Sequence, residues 1–254
     1  MHNSLRGFVA AVLLSYGLLS SPVWAGEVSV AVAADFATPM ERIAPLFQKE
    51  SGHTLKVTPG ASGKLYAQIR KGAAFDVFLA SDEEMPKQLM LDGFAVGGSR
   101  FVYATGRLVL WSDQPCVVDE KASVLNKGNF STLAIANPRY SPYGVAAKET
   151  LTKLTMWNSI QEKLSKGESV TETYQLAASE KADLAFIALS QVMRDGKVTS
   201  GSWWIAPPEM HKPIRQSAVL LSGAKDKLAA KEFLEFLKSE NARAVMRGFG
   251  YEVQ

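Results

Sequence analysis

Short runs rich in Val, Ile, Leu or Phe recur along the chain, at 28–33, 54–58, 75–80, 108–111, 133–136, 184–188 and 218–222. Each has the length of a strand buried on both faces and is too short for a core helix. Between them lie helical periods at 39–50, 63–71, 84–92, 145–154, 171–180 and 225–247, the last with a break near Asn241. This alternation predicts an α/β fold. No repeat, low-complexity tract or long structureless linker interrupts it.

The first residues carry a different signal. Arg6 precedes an apolar run over 7–19, and Val23 and Ala25 occupy the small-residue positions that a signal peptidase reads. A membrane-spanning helix needs roughly 18 apolar residues, and Ser20, Ser21 and Pro22 end the run before that. Residues 1–25 therefore read as a signal peptide, with a mature chain from Gly26 exported to the periplasm. No Cys follows the cleavage point to take a lipid, so a free protein is expected rather than a tethered one.

Removing 1–25 takes away one Arg and no acid, which leaves 27 basic against 25 acidic groups, a charge of +2. A nearly neutral chain with no Lys/Arg run is a poor partner for nucleic acid. The remaining 229 residues can form one large domain or two lobes. The single Cys116 cannot make an internal disulfide, so burial alone must hold the exported chain together.

Several loop-to-helix junctions are built from hydroxyl or small residues. Thr38-Pro39-Met40-Glu41 and Ser169-Val170-Thr171-Glu172 match capping boxes, and Ser62-Gly63-Lys64 and Ser141-Pro142 also read as helix starts. The first turn of a helix leaves backbone N–H groups without internal partners, and the peptide dipoles add positive potential there. Such an end can hold an anion without Lys or Arg. Most capped helix starts do no more than cap, so the junctions alone do not identify a ligand.

Other chemistries find little support. His53 and His211 lie far apart and His2 leaves with the signal peptide, so no bare metal site is expected. Cys116 has no base nearby to activate it. Asp76 interrupts a buried strand, whereas Asp82, Glu83 and Glu84 read as the start of a helix that favours acids. Lys64 and Arg139 read as solvated side chains that could steer an anion, and Trp203 and Trp204 as packing residues. A secreted hydrolase would want G-x-S-x-G, and Gly60-Ala61-Ser62-Gly63 lacks that spacing. A regulator's sensing domain would not carry an export signal.

At the helix junctions the chain resembles the periplasmic molybdate-binding components of ABC transporters, the ModA family, within the type II periplasmic binding-protein fold. The matching stretches are 30–36 after the first strand, 60–69, 75–82, 136–138, 142–147 and 248–251. Their order and spacing are more specific than any one of them.

The resemblance implies two α/β lobes with a ligand cleft between them, lobe I from 26–105 plus 208–254 and lobe II from 106–207. The crossings would fall at Thr105-Gly106-Arg107 and Ala206-Pro207-Pro208, where Gly and Pro punctuate the pattern. It also implies a monomeric receptor, not an enzyme, without cofactor, that delivers molybdate and also tungstate to a permease in the inner membrane. Sulfate, another oxyanion or a small organic acid on the same fold is the alternative.

The resemblance further implies a cage of neutral donors from both lobes. Ser62 would give a hydroxyl, Tyr143 a backbone N–H with its ring over the mouth, and Val170 a second backbone N–H. Molybdenum would be held only as the oxyanion. Two positions depart from the pattern. Ala188 falls where some relatives place a tyrosine hydroxyl. Asp35 occupies the first-loop position, where relatives carry Ser or Asn. An ionised Asp only accepts, and a carboxylate about 4 Å from one unit of anionic charge costs on the order of 4 kcal/mol at an effective dielectric of 20. Asp35 either turns away to accept N–H groups around Phe36 to Thr38, or shares a proton with the anion, or marks a ligand that carries a donor or cation.

Overall fold

The computed structural model describes residues 25–253 of the 254. The signal-peptide reading of 1–25 thus lies outside the described residues, save for Ala25. The strands in chain order are β1 (Glu27–Ala33), β2 (Thr54–Gly60), β3 (Val77–Ala80), β4 (Phe101–Gly106), β5 (Leu108–Ser112) and β6 (Leu133–Ala136). They continue with β7 (Leu164–Gly167), β8 (Leu184–Ala188), β9 (Met193–Arg194), β10 (Lys197–Val198), β11 (Ser202–Ile205) and β12 (Ile214–Leu220). The helices are α1 (Ala37–Ser51), α2 (Ser62–Arg70), α3 (Glu84–Leu91), α4 (Ser123–Lys127) and α5 (Pro142–Lys153). Then come α6 (Val170–Ala178), α7 (Leu189–Val192), α8 (Leu228–Phe236) and α9 (Glu240–Gly248).

Two five-stranded sheets result, ordered β2-β1-β3-β12-β4 and β11-β5-β8-β6-β7, with β9 and β10 as a separate hairpin. In the first sheet β1 runs parallel to β2 and β3, and in the second β6 runs parallel to β7 and β8. Val28, Val30 and Val32 of β1 pack with Phe47 of α1, Phe233 of α8 and Met246 of α9, whereas Ala31 packs with Leu65 of α2 and Leu89 of α3. Helices cover both faces of the sheet, which explains why β1 is apolar from Val28 to Ala33 except at Ser29. In the second lobe all of 108–111, 133–136 and 184–188 is buried, against Ala147 and Leu151 of α5 and Ala177 of α6.

The chain passes between the sheets twice. Arg107 alone separates β4 from β5, and residues 206–213 return from β11 to β12. The passages run side by side, with Ile214 paired to Gly106 and the Ala206 N–H donating to the Leu108 carbonyl at 3.0 Å.

The differences from the sequence reading are local. β4, β7, β11 and the hairpin were not expected, and β12 begins at Ile214 rather than 218. The long C-terminal helical period breaks before Asn241, where Ser239 accepts the Ala242 N–H at 3.3 Å and starts α9. Thr38 is not a cap: a 3-10 turn at Ala34–Phe36 runs straight into α1, which leaves Thr38 and Pro39 inside its first turn. Ser62 does not cap α2 either, since Ala61 holds that position. Ser169 does cap α6, accepting the Glu172 N–H at 3.1 Å, although the Glu172 carboxylate reaches back to the Glu168 N–H instead of that of Ser169.

Candidate functional site

Four strand-to-helix turns meet where the parallel strands end: β1 into α1, β2 into α2, β6 into α5 and β7 into α6. Carboxyl ends of parallel strands are where open α/β sheets bind ligands, because helix N-termini gather there. The sequence-predicted residues sit in these turns and are all deeply buried, with Asp35, Ser62 and Val170 each 2% exposed and Tyr143 1%.

Hydrogen bonds between the lobes bring the turns together. The Gly63 N–H donates to the Tyr140 carbonyl at 3.0 Å, which joins the start of α2 to the segment before α5. The Thr171 hydroxyl donates to the Ala34 carbonyl at 3.1 Å, joining α6 to the β1 turn. The Ser190 hydroxyl donates to the Asp35 carbonyl at 2.9 Å. Gly63 permits the first contact, because a Cβ there would lie 3.0 Å from the Tyr140 Cα. Gly144 has a similar role, since a Cβ would overlap the Ala136 carbonyl at the end of β6.

Two kinds of donor are available. No acceptor among the described residues takes the backbone N–H of Ser62, Tyr143 or Val170, each in the first turn of its helix. The Ser62 hydroxyl accepts the Ser81 N–H at 3.1 Å and shares a 2.9 Å bond with the Ser81 hydroxyl. Ser81 was not singled out by the sequence, although it directly follows the buried strand β3. Both hydroxyls are buried, and the one that accepts in their shared bond can turn its own proton toward a ligand.

Asp35 belongs to a polar cluster that the sequence did not reveal. Its Oδ2 accepts the Tyr251 hydroxyl at 2.8 Å and the Gln216 side-chain amide. The Gln216 Oε1 in turn accepts the Tyr103 hydroxyl at 2.7 Å, and its Nε2 donates to the Tyr143 hydroxyl at 3.3 Å. No N–H from Phe36 to Thr38 reaches the carboxylate among the described residues, because the 3-10 turn aims the side chain at β12 and the C-terminal segment. Burial pushes the Asp35 carboxyl above its ordinary range, even though Gln216, Tyr251 and Tyr143 favour its charged form. The Tyr143 ring does not lie over the mouth: it is enclosed, with its hydroxyl against Gly106 and Gln216. Ala188 is buried at the end of β8 and brings no hydroxyl; its N–H donates to Gln191 Oε1 at 3.0 Å.

A cavity of about 550 Å³ lies beside the turns, lined by Ser81, the partner of Ser62, and by Ser141, with Asp82, Arg139, Lys212 and Arg215 along its wall. Asp82 is raised to about 6 by burial, with the neighbouring charges of Glu84 and Glu83 adding to the effect against N–H donation from Met85 and Glu84. At the cleft edge Lys64 pairs with Glu168 across the lobes and lies over the Tyr140 ring, as does Arg139 from the other lobe.

The remaining candidates are structural. His53 accepts the Gly26 N–H at 2.9 Å and meets Glu232 at 2.9 Å. Asp76 accepts the Ser29 N–H and pairs with Lys227, both at 2.6 Å. Cys116 is exposed. Among the described residues no group of three or more metal-ligating side chains comes together, and no helix is long and apolar enough to cross a membrane.

The family model of bacterial extracellular solute-binding proteins matches residues 28–252. A molybdate-binding protein ModA of Azotobacter vinelandii is 46% identical over 254 residues, covering 100% of both chains. One of Rhodobacter capsulatus is 44% identical over 249 residues, covering 98% of this chain and 97% of its own. The solved structure of an Azotobacter vinelandii periplasmic molybdate-binding protein superimposes with a TM-score of 0.87 at 37% identity, over 89% of this chain and 99% of that one.

Proposed function

The chain belongs to the bacterial extracellular solute-binding proteins, in the ModA group, and from that premise we propose that it captures molybdate, and tungstate with it, for an ABC permease. It is a receptor and performs no reaction. The two lobes, 26–105 plus 208–254 and 106–207, close over the anion in the periplasm after the signal peptide is removed, and the monomer then presents the closed form to the permease.

One observation supports this reading: hydrogen bonds between the lobes join the start of α2 to the segment before α5 and the start of α6 to the β1 turn, and the buried first-turn residues Ser62, Tyr143 and Val170 offer N–H groups that meet no acceptor among the described residues. A tetrahedral dianion offers several lone pairs, and preorganised N–H and O–H donors satisfy them without a mobile countercharge. In the proposed site the Ser62 hydroxyl and the N–H groups of Tyr143 and Val170 donate to the oxyanion, and Asp35 closes the fourth side. Donors split between lobes make ligand and closure mutually dependent, since only the shut form offers the full set.

Calorimetric titration of the mature chain with molybdate, tungstate, sulfate and phosphate tests the reading. It expects tight one-to-one binding of the first two, with sulfate and phosphate weaker by about a hundredfold, or roughly 2.7 kcal/mol. Equal binding of sulfate would assign the site to another oxyanion.

A further inference from the structure

Asp35 is 2% exposed and meets only neutral partners. Its own turn adjoins the start of α6 in the other lobe, where the Ala34 carbonyl takes the hydroxyl of Thr171, next to Val170, while Gln216 bridges the carboxyl to the Tyr143 hydroxyl. Among the described residues no cation contacts the Asp35 carboxylate, so a dianion bound there would add like charge beside an unpaired acid.

The other titratable groups around the acid do not change this. Tyr103 on β4, Tyr143 on α5 and Tyr251 near the C-terminus are all pushed well above the usual phenol range, first by burial and then by Asp35 itself, so they stay neutral. From the α7 side the cation is Arg194. It donates to the Ser190 and Met193 carbonyls and lies over the Phe249 ring, 4.8 Å from its centre. Asp82 bears on Tyr103 and adds only negative charge.

We propose that the cage binds the oxyanion together with one proton, held between Asp35 and the nearest anion oxygen, so that molybdate capture takes up a proton from solvent. No other bond forms or breaks: the proton moves from water or buffer to the carboxyl, which then donates where an ionised Asp could only accept. This rests on the oxyanion reading above. Burial without a countercharge supports it by raising the proton affinity of Asp35 even before ligand enters.

The test is titration of the mature chain with sodium molybdate at several pH values between 6 and 9, in buffer pairs of different ionisation enthalpy. Wild type is expected to take up close to one proton per anion over part of that range, with affinity there falling toward tenfold per pH unit. Asp35→Asn is expected to bind with no uptake and a flat profile. Tyr251→Phe keeps the acid but strips a donor from its charged form, which moves the onset of the pH dependence upward. Molybdate binding by wild type without proton uptake, or uptake retained in Asp35→Asn, overturns the proposal and leaves the oxyanion reading intact. Absence of molybdate binding at every pH overturns that reading, and this proposal with it.

Discussion

The phenol of Tyr143, carried by α5, rests on the backbone of Gly106, the last residue of β4 in the first sheet, with no space between them for a side chain. The contact lies beside Arg107, where the chain crosses between the sheets, so it couples the hinge to the start of α5. A methyl at 106 would overlap the Tyr143 hydroxyl and come within 3.0 Å of the Gln216 amide.

Gly106→Ala should therefore hold the lobes apart. Overpacking of this kind costs about 1–3 kcal/mol, and the cost falls on the shut form, so the molybdate Kd should rise by about tenfold or more. Tyr143→Phe removes the overlapping oxygen, and the double variant should recover much of the loss. A double-mutant cycle on Kd measures the coupling; strict additivity would refute the steric link.

Asp82 predicts a dependence of stability on pH. Its native pKa of about 6 lies above the ordinary 3.8, so the native state binds the proton more tightly than the unfolded chain. The stability this brings is complete below about 3.8 and is lost as pH rises through about 6, on the order of 3 kcal/mol in all. Asp82→Asn keeps an acceptor for the Met85 N–H and should stabilise the protein by about 1–3 kcal/mol at pH 7.5, with no gain at pH 4. Urea denaturation at the two pH values checks it, and an equal effect at both would contradict it.

The hairpin of β9 and β10 clasps the first lobe through Asp195 and Arg42 at 2.7 Å and through the Gly196 N–H on the Gly248 carbonyl at 3.0 Å. Both charged side chains are exposed, and exposed pairs contribute little. Asp195→Ala should change the molybdate Kd by less than about fivefold. A larger loss, measured at physiological salt, would make the clasp a main support of closure.

Ser169 caps the helix whose first turn offers the Val170 N–H. Ser169→Ala should cost about 1 kcal/mol of stability and weaken molybdate binding, because fraying of α6 misplaces that donor. Ser239→Ala, which removes the equivalent cap from α9, should cost similar stability with Kd unchanged. Thermal unfolding and calorimetry on both variants separate the two effects.

Strands buried on both faces were legible because burial leaves a largely apolar run, unbroken in 184–188 and interrupted only by Ser29 in 28–33. β12 was read only from 218 because Gln216 and Ser217 are polar yet fully buried. They spend their polar groups on Asp35, Tyr103 and the Asp82 carbonyl, contacts that depend on partners more than a hundred residues away. β4 was missed for the same reason, since Tyr103 and Thr105 break its apolar run. The helix starts at Ser62, Tyr143 and Val170 could be read from Ser, Pro and Gly in the local sequence. The Asp35 cluster could not, because Tyr251 and Gln216 are joined to it only by the fold.

Whether the cage closes from both lobes is read directly by molybdenum's anomalous X-ray scattering, which locates the ion in crystals of the mature chain grown with molybdate. One strong peak is expected, with the anion's oxygens in hydrogen-bond range of the Ser62 hydroxyl and the N–H groups of Tyr143 and Val170. A peak in the neighbouring cavity by Asp82 and Arg139 instead, with none among those three residues, would contradict it.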